Sequence, residues 1–204
     1  MELRYGIRCA MIALLLMVIG CSLGSVQSAP TRMFTLSATI DTQAATPILR
    51  DEVIGIGPLT LAQYLDRQQI VTRVSPHELK AAEFSHWAEP LKSNITRVIR
   101  ENVSMLTGSE QVFSFPWQRS IQVDHQITLN VLRFEAASDG PVTLVVQWAI
   151  YGENNKERRI HRRTTIETPV SGTGYDAIAL SMSRALEDLS RQIVDGINDV
   201  MSGI

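Results

Sequence analysis

Alternation of apolar and polar positions dominates the chain from residue 121 to residue 150. Ile121, Val123, Ile127, Leu129 and Val131 fall on one face of a segment that runs to Glu135, and Val142, Leu144, Val146, Trp148 and Ile150 on one face of the next. Asp139-Gly140-Pro141 separates the two, so the pattern predicts an antiparallel hairpin. Beyond a turn at Gly152-Glu153-Asn154-Asn155, Arg159–Thr168 reads as a more polar strand, exposed or at an edge. Shorter β-branched stretches at Met33–Thr39, Val53–Leu61, Gln69–Val74 and Gln111–Phe115 complete the strand set.

Two regions change to the helical period. Ile178, Met182, Leu186, Leu189, Ile193, Ile197 and Val200 recur at steps of three or four and predict a helix from Tyr175 to about Met201. A second helical region spans about His77 to Leu106. Its first part, HELKAAEFSHWAE, breaks or kinks at Pro90, which lacks a helical donor. Beyond Pro90, Leu91, Ile95, Val98, Ile99, Val103 and Leu106 form one stripe, and Gly108 supplies the stop. The order strands, helix, strands, helix predicts an α/β (α+β) single domain, a mixed β-sheet of about five to seven strands packed with two long helices.

The N-terminus departs from this pattern. Arg4 and Arg8 precede an uncharged run from Cys9 to Ile19, and Gly20 is the small residue beside a cleavage point. That is the layout of a secretory signal, and the run is too short for a spanning helix. Residues 1–20 are therefore expected to be a signal peptide, residues 21–32 an acylated Cys and flexible tether, and residues 33–204 the globular domain. Val18-Ile19-Gly20-Cys21 resembles a bacterial lipobox, in which the Cys21 thiol receives a diacylglyceryl group; a plain secretory signal or a short uncleaved anchor is the other reading. More than one acyl chain exceeds the limit of reversible membrane binding. By that resemblance, Ser22 after the acylated residue favours the periplasmic face of the outer membrane of a Gram-negative bacterium. With Cys9 removed and Cys21 carrying lipid, the mature chain holds no disulfide, and a core must supply its stability.

Composition narrows the classes. Hydrophobic residues make up 45% of the 204 and charged residues 20%, ordinary values for a folded domain. A formal charge of −2 lacks the basic footprint of a nucleic-acid binder, so no nucleic-acid partner is expected. The four histidines, His77, His86, His125 and His161, form no close ligand pair, and the expectation is no metal, no cofactor beyond the covalent lipid on Cys21, and no enzyme. Gly55-Ile56-Gly57 follows a strand but has Thr60 where a dinucleotide loop needs its third glycine; glycines that allow a bulge or a close backbone approach explain it better. Arg158-Arg159-Ile160-His161-Arg162-Arg163 is the one basic cluster. Arg159, Arg162 and Arg163 could meet lipid headgroups, or serve as edge charges that discourage aggregation. Trp148 sits on an apolar face and reads as core. Trp87 and Trp117 adjoin prolines and either pack the helix entrance or meet a partner.

Several segments, taken in order, resemble the PqiC-like lipoproteins, also described as ABC-type transport auxiliary lipoproteins. The run from Gly55 through Arg73 (GIGPLTLAQYLDRQQIVTR) carries most of the likeness. Trp87-Ala88-Glu89-Pro90-Leu91, Arg97-Val98-Ile99-Arg100-Glu101-Asn102 and Phe115-Pro116-Trp117 continue it. Ala62 and Gln68 stand where many relatives have proline. The resemblance implies an outer-membrane lipoprotein that works with an MCE-domain protein and inner-membrane transporter components to move lipids and maintain envelope integrity, as a homo-oligomer. Tyr64, Leu65, Asp66 and Arg67 lie between two strands and are candidates for a partner-binding loop, or for a turn with a salt bridge. A periplasmic lipid-binding carrier with an acyl-chain pocket is the alternative function. A hydrolase built from scattered Asp, Glu and His has no supporting spacing.

Overall fold

In the computed structural model, residues 29–40, 49–152 and 158–202 are described, apart from the side chains of residues 158 and 159. Cys21 and most of the turn at Gly152–Asn155 lie outside them. From Thr31 onward the chain forms one compact unit. Its elements are β1 (Arg32–Phe34), β2 (Ile54–Leu61), a 3-10 turn (Gln63–Leu65), β3 (Gln69–Ser75), β4 (Glu78–Trp87), α1 (Leu91–Thr107), β5 (Val112–Ser114), β6 (His125–Ala137), β7 (Val142–Tyr151), β8 (Arg158–Thr168) and α2 (Gly174–Ser202). The mixed sheet and two long helices are as expected, with eight strands in place of five to seven.

The additional strand is β4, which helix-forming residues had marked as the start of a helix. Propensity is overridden by pairing. β4 forms an antiparallel hairpin with β3 (Ser75 opposite Glu78, Val71 opposite Ala81), and its far edge takes β1 in parallel, Phe34 opposite Trp87. Ala82, Ser85 and Trp87 are buried, so the inner half of β4 contributes to the core.

β6 organises the sheet. One edge pairs with β7 along nearly its whole length, and β7 pairs with β8. The other edge is divided: β2 lies parallel to His125–Val131, and β3 parallel to Ala136–Ala137. The predicted strand from Ile121 begins only at His125. Asp124 ends the irregular lead-in, accepting the Val53 N–H on Oδ2 at 2.8 Å and donating its own N–H to Val53 O at 2.9 Å.

Both helices pack on one face. α2 covers β6, β7 and β8, α1 covers β2 and β5, and the helices touch each other. Val142, Leu144, Val146, Trp148 and Ile150, the predicted inner face of β7, are at most 1% exposed, as are Met182, Leu186, Leu189, Ile193 and Ile197 of α2. α1 ends at Gly108 as its sequence indicates. β1 stops at Phe34, short of the predicted Thr39, because the helices take over its backbone hydrogen bonds. Asn94 Oδ1 accepts the Leu36 N–H (3.1 Å), Arg97 Nη2 donates to Leu36 O (2.8 Å), and Ser183 Oγ accepts the Ser37 N–H (3.1 Å). Residues 35–40 thus form a strap held by both helices.

Candidate partner-docking surface

The face of the sheet opposite the helices carries the features that packing alone does not explain. On β2, Ile54, Ile56 and Leu59 point into the core while Gly55 and Gly57 are bare. β5 runs parallel to β2, with Gly55 opposite Phe113, and Phe115 continues the ladder by donating its N–H to Ile56 O at 2.9 Å. Trp117 folds back over Gly55: a β-carbon there would stand 2.7 Å from Trp117 Cη2. Gly57 has φ +114°, and a β-carbon on it would stand 2.9 Å from Phe115 Cβ. Both glycines are therefore required by close approach, and Gly57 also by its backbone. The Gly57 carbonyl is held by Gln126 Nε2 at 2.8 Å. The outcome is an aromatic ledge. The Phe115 and Trp117 rings meet edge to face, 5.5 Å apart at 87°. Phe115 is 51% exposed, with Pro58 and Pro116 exposed beside it.

Beyond the ledge a shallow groove of about 280 Å³ runs over Pro58, Thr60, Asn130, Gln147, Tyr151 and His161. Further along β6 on the same face lies a buried carboxylate. Glu135, fully inaccessible, accepts the Tyr64 hydroxyl on Oε2 (2.7 Å) and the Nε–H groups of both Arg73 and Arg133 on Oε1 (2.7 Å each). Burial first, then the hydrogen bond and charge of Glu135, hold the Tyr64 phenol well above its ordinary range. Its hydrogen bond to Glu135, which outweighs burial, raises Arg73.

The predicted residues separate on this framework. Leu65 and Trp87 are 2% and 4% exposed, which withdraws them from any surface contact. Tyr64, on the 3-10 turn, is engaged with Glu135, and Asp66 and Arg67 are exposed just after it. Trp117 belongs to the ledge. Arg162 points to the helix side, where it lies over Trp148 (5.7 Å) and pairs with Asp199 of α2 (3.0 Å). Arg163 is exposed on the helix-free face, in register with Gln147. The side chain of Arg159 and the lipidation position Cys21 lie outside the described residues. The histidines are dispersed over β4, β6, β8 and the β3–β4 turn, and among the described residues no cluster of three His, Cys, Asp or Glu could hold a metal. No helix among the described residues is long and apolar enough to cross a membrane.

Sequence reasoning missed Phe115 as a contact and missed the Arg73–Arg133–Glu135 cluster. Glu135 carried a signal: a carboxylate near the end of a long alternating strand, two residues after an arginine. The other quoted segments prove structural. Glu89 and Arg97 form an ion pair (3.1 Å), and Arg97 also reaches Thr35, Leu36 and Asn94, fastening the strap.

The sheet is thus covered by helices on one side and carries on the other a ledge made by two glycines and a Phe-Pro-Trp run. The family model for the ABC-type transport auxiliary lipoprotein component matches residues 34–194, and the chain belongs to that family. Among solved structures, the protein XCC0632 from Xanthomonas campestris shares 18% identity at a TM-score of 0.68, over 84% of this chain and 99% of that one. An uncharacterized protein shares 19% identity, also at 0.68, over 83% and 99%. These likenesses concern the fold. No curated protein sequence matches the chain.

Proposed function

We propose that this lipoprotein is the outer-membrane adaptor of an MCE-type lipid transport system. Acyl chains on Cys21 hold it at the periplasmic face, the residues between Cys21 and β1 act as its tether, and a homo-oligomer receives the distal end of an MCE assembly on the helix-free face. Its contribution is positional, since anchoring raises the local concentration of the docking surface. The observation that carries this reading is the ledge, where a half-exposed phenylalanine and a tryptophan are seated on strand glycines beside two exposed prolines. An acyl-chain carrier is a poorer fit. The space between sheet and helices, where such a chain would lie, is occupied by Phe134, Trp148, Ile150, Leu186 and Leu189, each at most 1% exposed.

The test is site-specific photo-crosslinking in membranes. A crosslinker at position 115 is expected to capture an MCE-domain protein, whereas one at Leu180, exposed on α2, is not. Capture from position 180 and not 115 would move docking to the helices. Absence of any MCE-domain product from either position would overturn the adaptor reading.

A further inference from the structure

The sharing of Glu135 leaves a positive charge over. Its single carboxylate is buried and already takes hydrogen bonds from Tyr64, the Phe134 N–H, Arg73 and Arg133. Two guanidiniums converge on the same oxygen, Oε1, each through Nε at 2.7 Å. One negative charge faces two positive ones, and the arginines are held side by side against their own repulsion. Each spends its Nε on the carboxylate. Arg73 gives Nη1 to Pro76 O at 3.1 Å, while Arg73 Nη2 and both Nη groups of Arg133 have no acceptor among the described residues. Those side chains are 21% and 34% exposed, so the free donors have access to water.

A buried carboxylate that fixes two forks and leaves their outer donors unused is a preorganised receptor for an oxyanion. Arginine is suited to this, because its planar fork matches phosphate geometry and keeps its charge at every accessible pH. We infer that Arg73 and Arg133, held by Glu135 and Tyr64, form a phosphate-binding site on the helix-free face. Lysine or glutamine at either position would lack the paired donors. The surroundings agree in sign. Arg163 is exposed on the same face, and β7 presents uncharged Thr143 and Val145 opposite Glu135 and Arg133. Glu167 lies two strands from Glu135 by register, without an ion-pair partner among the described residues, and Asp66 is exposed two residues after Tyr64. The site is independent of which protein docks at the ledge.

The full-length protein in detergent, labelled with nitrogen-15, provides the test through its arginine Nε–H resonances. Inorganic phosphate, titrated against chloride at constant ionic strength, is expected to shift the Arg73 and Arg133 signals saturably. Glycerophosphoglycerol, a deacylated diester headgroup, identifies the source: tighter binding than phosphate assigns the site to lipid headgroups, and weaker binding assigns it to free phosphate. Arg133→Gln removes the surplus charge while Glu135 keeps Arg73 and Tyr64, and is expected to weaken binding about tenfold or more. Arg133→Lys, which retains the charge without the fork, should fall between and keeps the test usable if the glutamine variant folds poorly. Glu167→Gln should tighten binding about twofold. Arginine signals that respond no more to phosphate than to chloride, or equal affinity in Arg133→Gln, would overturn the inference.

Discussion

Gly55→Ala puts the seating of the aromatic ledge to a quantitative test. The new β-carbon would lie 2.7 and 2.8 Å from Trp117 Cη2 and Cζ3 and 3.0 Å from Val123 Cγ1. Carbon atoms pack best at about 3.5–4.0 Å, so the indole must withdraw by about 1 Å. It is a rigid ring already in edge-to-face contact with Phe115, so withdrawal disturbs that pair as well. Overpacking of this kind costs about 1–3 kcal/mol, and the aromatic pair contributes about 0.5–1.5 kcal/mol. Alanine in a strand recovers roughly 0.5–1 kcal/mol relative to glycine. The balance is a destabilisation of about 1–3 kcal/mol, read from urea unfolding followed by circular dichroism. A shift in tryptophan emission should accompany it. Trp87 and Trp148 are 4% and 1% exposed, so a change in solvent contact reports on Trp117. The decisive measurement is the double-mutant cycle with Trp117→Ala. Once the ring is gone, the Gly55→Ala change should cost nothing further, giving a coupling of about 1–3 kcal/mol. Additive effects, or a Gly55→Ala protein with native stability and emission, would refute the proposed contact.

Three further outcomes follow from the buried charges. Glu135→Gln leaves two arginines and the Tyr64 hydroxyl without their anion and should cost about 2–4 kcal/mol in denaturant unfolding, toward the lower end because both arginines reach water. The raised Tyr64 phenol stays protonated in the folded state while the unfolded one ionises near its ordinary 10.0, so stability should fall as the pH rises above that value. In Tyr64→Phe this alkaline loss should be shallower by as much as about 1.4 kcal/mol per pH unit, as measured by unfolding curves between pH 9 and about 12. Burial alone would raise Glu187, but hydrogen bonds from Thr39 and Arg191 bring it below its usual 4.5, so its contribution is present at neutral pH and lost as the pH falls below that value. Glu187→Gln should be less stable at neutral pH and show a flatter acid limb.

Most of the fold was legible because it is written in periodicity. The alternation in β7 and the stripe of α2 each commit a whole element to one buried face, and both appear where expected. β4 was not legible, since Glu78–Trp87 holds helix-forming residues and its strand identity depends on β1 and β3, distant partners that no local pattern reveals. The shortening of β1 has the same origin: Asn94 and Arg97 capture its continuation from about 60 residues away. At the site, the glycines of Gly55-Ile56-Gly57 announced a close approach, and Trp117 and Phe115 are what approach. The surplus of arginine over Glu135 was invisible, because register alone brings residue 73 to residue 135.

The two faces of the sheet differ in what they bury and what they expose. On the helix side, apolar residues of β6, β7 and both helices fill the core. On the other side, Gly55 and Gly57 leave room for Trp117 and Phe115 against β2, and Phe115 keeps half its ring in water. Natural proteins retain such local violations where a partner or ligand makes use of them. The strap at residues 35–40 is fastened to the helices, through Asn94, Arg97 and Ser183. If Phe115 serves docking, Phe115→Ser should cost only about 1–2 kcal/mol, from the lost Trp117 pair and the buried half of the ring. The same change should remove capture of the transport partner when the crosslinker is placed at neighbouring Pro116. A loss of stability well above that limit, with capture unchanged, would make the phenylalanine a packing residue and move the docking surface elsewhere.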